Sequence, residues 1–524
     1  MRGRGLQEKG AFRAALIALL AGVLSLLAGC GDDEPTSDLA ELAPPDAPLY
    51  AEAVLRPDSE QAGAIESVAS EAAGIQDPGA LLIEELDGSL AAEDISYAED
   101  IEPWLGEHGA FFIRSFEANG EREFPDFAAL LEIDDVEGAE DFITQLAEAE
   151  PDGVEELSYG DFDYFYSPDD GGYAVGIVEE ALVISTEASF KLAVDAAEGE
   201  SLAESAEFSE RTEALGDGRL ATFFLEPGSA VEAAIGSGEL SREDARTLRP
   251  LLAGVGSGPL AGGLEIEETS AAIELAAAVE DEDAVAPDAE LLGELPAGAG
   301  FALALPHLGQ TLEFAIDRLQ TSGLPGARSL QDTIEERAGI DLGADVASWL
   351  GDVSAFLSGS TPADLRVGVV AETSDPEGPG ELLDAVSGLI RREEPRVPIG
   401  PPPEGSEEGF TIGIPGFGPQ AAAGVIGDEF VGAFGLAPSE VLDPPDRLED
   451  DELFEEATDA LGDDFDPLLF IDLPAVLPIL RAGGADEGRD YAEAEPYFNA
   501  FRFLIAGAQV EDQLATVRFT VAVP

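Results

Sequence analysis

Side chains able to act as nucleophiles or bases are scarce in this chain, and acids are abundant. Its 524 residues include one cysteine, Cys30, and two histidines, His108 and His307, against 110 aspartates and glutamates. A thiolate can attack or bind metal, an imidazole can move protons or hold zinc, and two facing carboxylates can hydrolyse a glycoside. The spacing supports none of these. The sequence has no G-x-S-x-G elbow, no dinucleotide fingerprint and no P-loop. The glycine-rich stretch GVGSGPL (254–260) lacks the lysine of a phosphate loop and reads as a flexible turn. The acidic clusters SPDDGG (167–172) and LGDDFDP (461–467) do not continue into an EF-hand loop, so only weak binding of divalent cations is expected there. No catalytic residue, metal ligand or cofactor is therefore assigned, and a protein that is not an enzyme is expected.

The chemistry left to Cys30 depends on its place. Arg2, Arg4, Lys9 and Arg13 precede an apolar run from Ala14 to Ala28, and Leu27, Ala28 and Gly29 lead into the cysteine. Charged, apolar and small residues in that order make a secretory signal. The run is too short for the about 20 residues that cross a bilayer as a helix. The tetrad Leu27-Ala28-Gly29-Cys30 resembles the lipobox of bacterial lipoproteins, which implies cleavage after residue 29 and diacylglycerol on Cys30. The membrane is then a partner through that lipid, at the outer face of the cytoplasmic membrane, in the periplasm or at the cell surface. Residues 31–42, GDDEPTSDLAEL, read as an acidic flexible linker.

Removing residues 1–29 takes away four basic residues and one acidic residue, which leaves a net charge of about −88. Nucleic acid is excluded as a partner, because phosphates need clustered Lys and Arg. Hydrophobic residues still make up 45% of the chain, enough for packed cores.

The elements that would position any site occur twice. PDAPLYAEAV (45–54) matches PAGAGFALAL (296–305), and Asp100, Trp104, Leu105 and Gly106 match Asp345, Trp349, Leu350 and Gly351. In the same order FAALLEI (127–133) matches VGVVAET (367–373), and YAVGIVEEALVI (173–184) matches AAAGVIGDEFVG (421–432). FSERTEALGD (208–217) then matches FEEATDALGD (454–463), LATFFLEP (220–227) matches LLFIDLP (468–474), and AGGLEIEE (261–268) matches AGAQVEDQ (506–513). The expected organisation is a tandem duplication, 43–280 and 291–524, joined by an acidic linker at 281–290. In this alignment His108 falls opposite Val353 and His307 opposite Arg56, so neither histidine belongs to the repeated plan and both read as surface or structural residues. The recurring carboxylates are Asp100 with Asp345, Glu132 with Glu372, Asp217 with Asp463 and Glu226 with Asp472, a set expected at caps, turns and strand ends.

Within unit one, strands are expected at 49–55, 110–116 and 127–133, and a helix at 59–74. Ala139, Phe142, Ile143 and Leu146 mark one buried face of another helix, matched by Leu382, Leu383, Val386, Leu389 and Ile390. Residues 171–186 read as a hairpin turning at Glu179 and Glu180, where unit two has Gly427 and Asp428. A helix entered at Ser241 is capped by Asp244, and strands at 259–267 and 271–279 close the unit. The Pro- and Gly-rich segment 393–409 reads as an exposed loop inserted in unit two. Strands joined by tight turns are antiparallel, so each unit is expected to be α+β, a mainly antiparallel sheet packed with helices. The two tryptophans should pack helices on the sheet, with Gly106 and Gly351 allowing the turn and the acids after them exposed.

The opening strand Pro45–Ala51, the D-I-x-x-W-L-G segment, the export signal and the duplicated length resemble the bacterial domain of unknown function 3352 family. The resemblance implies an exported, often lipid-anchored protein and supplies no catalytic residue. The expected function is a non-enzymatic binding or scaffolding protein of the cell envelope, whose ligand would be an envelope protein, an envelope polymer or a cation. The alternatives are a carrier of a lipid or other apolar ligand in a cavity between the sheet and helices on one face, and a hydrolase of envelope polymers.

Overall fold

The computed structural model describes residues 38–91, 95–115, 126–149, 153–168, 172–216, 218–229, 231, 235, 258–279, 290–321, 339–361, 364–375, 378–413, 420–482, 498–511 and 513–524. The expected signal segment with Leu27, Ala28, Gly29 and Cys30, the helix expected at Ser241 and nearly all of the expected 281–290 linker lie outside these. The chain divides into two compact units, Met1–Glu280 with Gln513–Thr516, and Asp281–Asp512 with Val517–Pro524. Among the described residues no helix is long and apolar enough to cross a membrane.

Unit one contains β1 (Leu49–Val54), β2 (Leu105–Ser115), β3 (Asp126–Ile133), β4 (Glu155–Tyr159), β5 (Phe162–Ser167), β6 (Tyr173–Val178), β7 (Ala181–Thr186), β8 (Ala221–Leu225), β9 (Leu260–Ile266) and β10 (Ser270–Ala278). They lie side by side in the order β4-β5-β6-β7-β3-β2-β1-β8-β9-β10, and every neighbouring pair is antiparallel. Its helices are α1 (Ser59–Ala73), α2 (Pro78–Leu90), α3 (Val136–Ala149), α4 (Glu187–Glu198) and α5 (Ala206–Glu213). The start of α1 is set by reciprocal bonds: Asp58 accepts from the Gln61 N–H at 3.1 Å, and Gln61 accepts from the Asp58 N–H at 2.9 Å. The β6–β7 hairpin turns at Glu179 and Glu180, with Glu179 at φ 52°; in the equivalent turn Gly427 has φ 66°.

Helices cover the central strands on both faces. On one, Leu86 and Leu90 of α2 and Phe142, Ile143 and Leu146 of α3 pack with Trp104, Leu131, Leu182 and Ile184. On the other, Phe190 and Val194 of α4 pack with Tyr50, Phe112, Leu130 and Val183. Neighbours such as Leu130 and Leu131 point to opposite faces and both are buried, so these strands read as unbroken apolar runs. The single helical layer assumed for an apolar carrier is therefore not the arrangement found.

Unit two contains β11 (Phe301–Leu305), β12 (Leu350–Ser358), β13 (Arg366–Thr373), β14 (Ile399–Gly400), β15 (Gly409–Gly413), β16 (Gln420–Ile426), β17 (Glu429–Phe434), β18 (Asp466–Asp472), β19 (Phe503–Glu511) and β20 (Leu514–Ala522), with α6 (Leu308–Thr321), α7 (Gly378–Glu393), α8 (Pro438–Leu442), α9 (Glu452–Leu461) and α10 (Leu473–Ala482). Its strands lie in the order β14-β15-β16-β17-β13-β12-β11-β18-β19-β20, which follows unit one place by place. Phe208 of α5 meets Phe224 of β8 edge to face at 5.4 Å, and Phe454 of α9 meets Phe470 of β18 in the same way at 5.3 Å.

Three expectations change. The acidic segment does not stay a linker as far as residue 42: Asp38–Leu42 form a 3-10 turn with Leu39, Ala40 and Leu42 buried. It is fastened by hydrogen bonds from the Leu202 N–H to the Ala43 carbonyl, 2.9 Å, and from the Ala203 N–H to the Ala40 carbonyl, 3.3 Å. The Pro- and Gly-rich segment 393–409 is not wholly loop, because it contains β14, which pairs with β15 in the position that β4 and β5 hold in unit one. Finally, Tyr50 pairs with Phe112 and Phe224, whereas Ala302 pairs with Phe356 and Phe470. Tyr50 thus corresponds to Ala302 and not to Phe301, a one-residue slip that places each side chain on the other face from the one the alignment implied.

Candidate functional site

The two WLG segments occupy the same place in their units, at the entry to β2 and to β12. In unit one the π-turn Tyr97–Ile101 precedes Trp104. The Asp100 carboxylate accepts from the Ser96 N–H at 2.8 Å, and its carbonyl accepts from the Trp104 indole at 2.6 Å. In unit two the π-turn Leu342–Ala347 precedes Trp349. There the Asp345 carboxylate accepts from the Asp341 N–H at 2.7 Å, and its carbonyl accepts from the Trp349 indole at 2.7 Å. The Trp104 carbonyl takes the Asp134 N–H, and the Trp349 carbonyl takes the Ser374 N–H, each at 2.9 Å.

Both indoles are buried, and they meet different aromatic partners. Trp104 packs on Phe142 of α3 at 5.3 Å between ring centres, and Trp349 on Phe430 of β17 at 6.1 Å. The motif glycines lie against the next strand. A Cβ on Gly106 would come within 2.7 Å of Glu132 Cγ, and one on Gly351 within 3.1 Å of Glu372 Cβ.

Just past each glycine the pairing slips. On β2 the pairing with β3 shifts between Leu105 and Gly109, and on β12 the pairing with β13 shifts between Leu350 and Val353. Gly109 and Val353 are opposite Leu131 and Ala371 respectively, so the bulge in unit one holds one more residue. Within it, Glu132 Oε2 accepts from both the backbone N–H and Nδ1 of His108, each at 2.9 Å. In unit two the bulge supplies the acid instead. Asp352 Oδ1 accepts from the His307 N–H at 2.6 Å and lies 3.2 Å from its Nδ1. His307 has φ 49°, a left-handed conformation that costs energy in a residue with a Cβ.

Both histidines thus stand beside a WLG turn, each held by one carboxylate at two points. The acids after the glycines differ from expectation in one case: Glu107 is exposed, but Asp352 is half-buried and holds His307. The hydrogen bond to Glu132 raises the His108 pKa above its ordinary value although burial opposes it, with Glu52 and Glu107 adding to the rise. The same bond lowers the Glu132 pKa, again against burial. A His–carboxylate pair can serve as a general base only if its far nitrogen reaches a substrate. His108 Nε2 is buried and has no hydrogen-bond partner, so the pair in unit one presents no base to solvent.

A second polar group lies on the α4 side of unit one. Glu52, Thr222, Gly263 and Glu274 stand abreast on β1, β8, β9 and β10, and the three side chains are buried. The Tyr50 hydroxyl donates to Glu52 at 2.6 Å. Arg219 lies over Gly263 and donates to the carbonyls of Thr212 and Leu215 at the end of α5, and Glu274 accepts from the Gly216 N–H at 3.0 Å. Ala304 takes the place of Glu52 in unit two, so this row belongs to unit one alone.

Of the other recurring acids, two serve the backbone. Glu226 accepts from the Ser229 N–H at 2.7 Å and Asp472 from the Ala475 N–H at 3.0 Å, while Glu372 faces Glu429 across the strands. Asp217 lies outside the described residues. Among the described residues no group of three or more His, Cys, Asp or Glu could hold a metal ion.

The sequence profile of DUF3352, described as a protein of unknown function, matches residues 11–392. The chain belongs to that family. No curated protein matches it. Among solved structures, crystal form I of TP0453 is 12% identical, with 49% of this chain and 82% of that chain covered at a TM-score of 0.26. Crystal form IV is 10% identical, with 47% and 80% covered at 0.24. At such scores the likeness carries no argument about this chain.

Proposed function

We propose that this protein is an exported lipoprotein, anchored by diacylglycerol on Cys30, whose two tandem homologous units form a non-enzymatic binding or scaffolding body of the cell envelope. One observation carries this reading. At both WLG turns the repeated polar groups, the indole N–H and the Asp100 or Asp345 carboxylate, are engaged with their own backbone within four residues. A residue retained twice for catalysis would have to face a substrate. Here the indoles are buried and the half-buried carboxylates are taken up by their own backbone, which is what a duplicated architectural element requires, and the lipobox supplies the address.

The test is to purify the protein from membranes of its own host and record intact and native mass spectra. Diacylglycerol on an N-terminal Cys30, a co-purifying partner or polymer, and loss from the membrane fraction in Cys30→Ser support the reading. An unmodified thiol, or turnover of a glycan, peptide or ester substrate, refutes it.

A further inference from the structure

We infer that unit one meets the lipid surface with the layer made by the 3-10 turn Asp38–Leu42 and α4, and turns its α2–α3 layer away. This rests on the anchored reading above. The lipid would sit on Cys30, and Asp38, exposed and eight residues on, begins a turn locked into the core. A chain advances at most ~3.6 Å per residue, so the anchor lies within about 29 Å of Asp38.

The turn packs on α4 and on β2 and β3, the central strands of the ten. To bring α3 to the lipid, the tether would have to run from the middle of the sheet to an edge and round to the other face. At ~4.8 Å per strand and ~10 Å per layer that path is about 45 Å or more, well beyond its reach.

The exposed surface beside the tether is acidic, and the one lysine of α4, Lys191, is paired with Glu187 at 2.6 Å. Asp38, Glu41, Asp46, Glu198, Glu200 and Glu204 are exposed, and neither 31–55 nor 192–210 contains a Lys or Arg. Such a surface fits headgroups of little net charge and is pushed away from anionic ones. The screening length grows from ~10 Å at 0.1 M salt to ~30 Å at 0.01 M, about the reach of the tether. Ionic strength should therefore set the gap between protein and bilayer.

Fluorescence energy transfer tests this in the full lipidated protein. The lipid occupies the Cys30 thiol, so one added cysteine, Glu204→Cys beside the turn or Glu140→Cys on α3, can carry a donor dye. Acceptor dye is placed on headgroups of phosphatidylcholine vesicles. Transfer from position 204 should exceed that from 140 by about threefold or more. It should fall when phosphatidylglycerol is added at low salt, and the contrast should vanish when about 20 Gly/Ser residues are inserted before Asp38. Equal transfer from both positions, or more from 140, overturns the inference. Mass spectrometry of the N-terminal peptide separates two failures: lipidated protein with equal transfer overturns this inference alone, and protein without lipid on Cys30 overturns the anchored reading with it.

Discussion

Glu132 grips His108 twice, through the backbone N–H and through Nδ1, at 2.9 Å each. The pair closes the bulge that follows the first WLG turn, and its two pKa shifts have opposite signs. His108 is raised from 6.5, so its contribution is full below that value and is lost as pH climbs through the higher folded pKa. Glu132 is lowered from 4.5, so its contribution is full above that value and is lost as pH falls through the lower folded pKa. The stability difference between wild type and Glu132→Gln should therefore be greatest between pH 4.5 and 6.5 and shrink on both sides. Thermal melts of the two proteins across pH 3 to 9 provide the check, and a difference independent of pH would dismiss the charged pair.

Trp104→Ala should destabilise unit one by about 3–5 kcal/mol, as expected for a large buried aromatic. Trp104→Phe keeps a ring against Phe142 but loses the bond to the Asp100 carbonyl and part of the ring volume, at about 1–3 kcal/mol. Urea unfolding gives both values. Equal losses in the two variants would mean that the indole N–H, and not the packed ring, dominates.

Gly106→Ala and Gly351→Ala should differ although they alter the same motif. The new methyl would reach 2.7 Å from Glu132 in the first and 3.1 Å from Glu372 in the second. Overpacking of this kind costs ~1–3 kcal/mol, and the larger share should fall on Gly106. The order of the two unfolding midpoints decides it.

Glu179→Gly should stabilise the β6–β7 hairpin by roughly 1 kcal/mol, because Glu179 sits at φ 52° with a Cβ. Gly427→Glu should cost a similar amount in unit two, where φ is 66°. Opposite shifts of the urea midpoint are the expected result.

Several elements could be read before the structure was known because each carried its own marker. The β6–β7 hairpin had two apolar runs around a two-residue turn, and α3 had Ala139, Phe142, Ile143 and Leu146 at helical spacing. Strands β4 and β5 were not foreseen, since EELSY and FDYFYS mix acids with aromatics at the sheet margin and lack a clean period. The Asp38–Leu42 turn was hidden by the acids around Leu39 and Leu42. The one-residue slip at β1 and β11 has a deeper cause: β11 puts the small Ala302 and Ala304 on its buried face and the larger Phe301, Leu303 and Leu305 on the more open one, so matching aromatic to aromatic picks the wrong face.

For the candidate site, the WLG positions were legible and the histidine pairs were not. His108 lies on β2 and His307 in the turn after β11, and only the bulges bring each beside its acid.

The place of β1 in its sheet bears on how the protein is made. Its neighbour β8 is separated from it by six intervening strands in the chain, so the middle of the sheet stays open until most of unit one has been synthesised. Long-range closure of this kind is slow, and a chain waiting for it exposes apolar strands that could associate. The excess of acids would keep such a chain dissolved through mutual repulsion until β8 arrives, so the composition serves the period before folding as much as the finished surface.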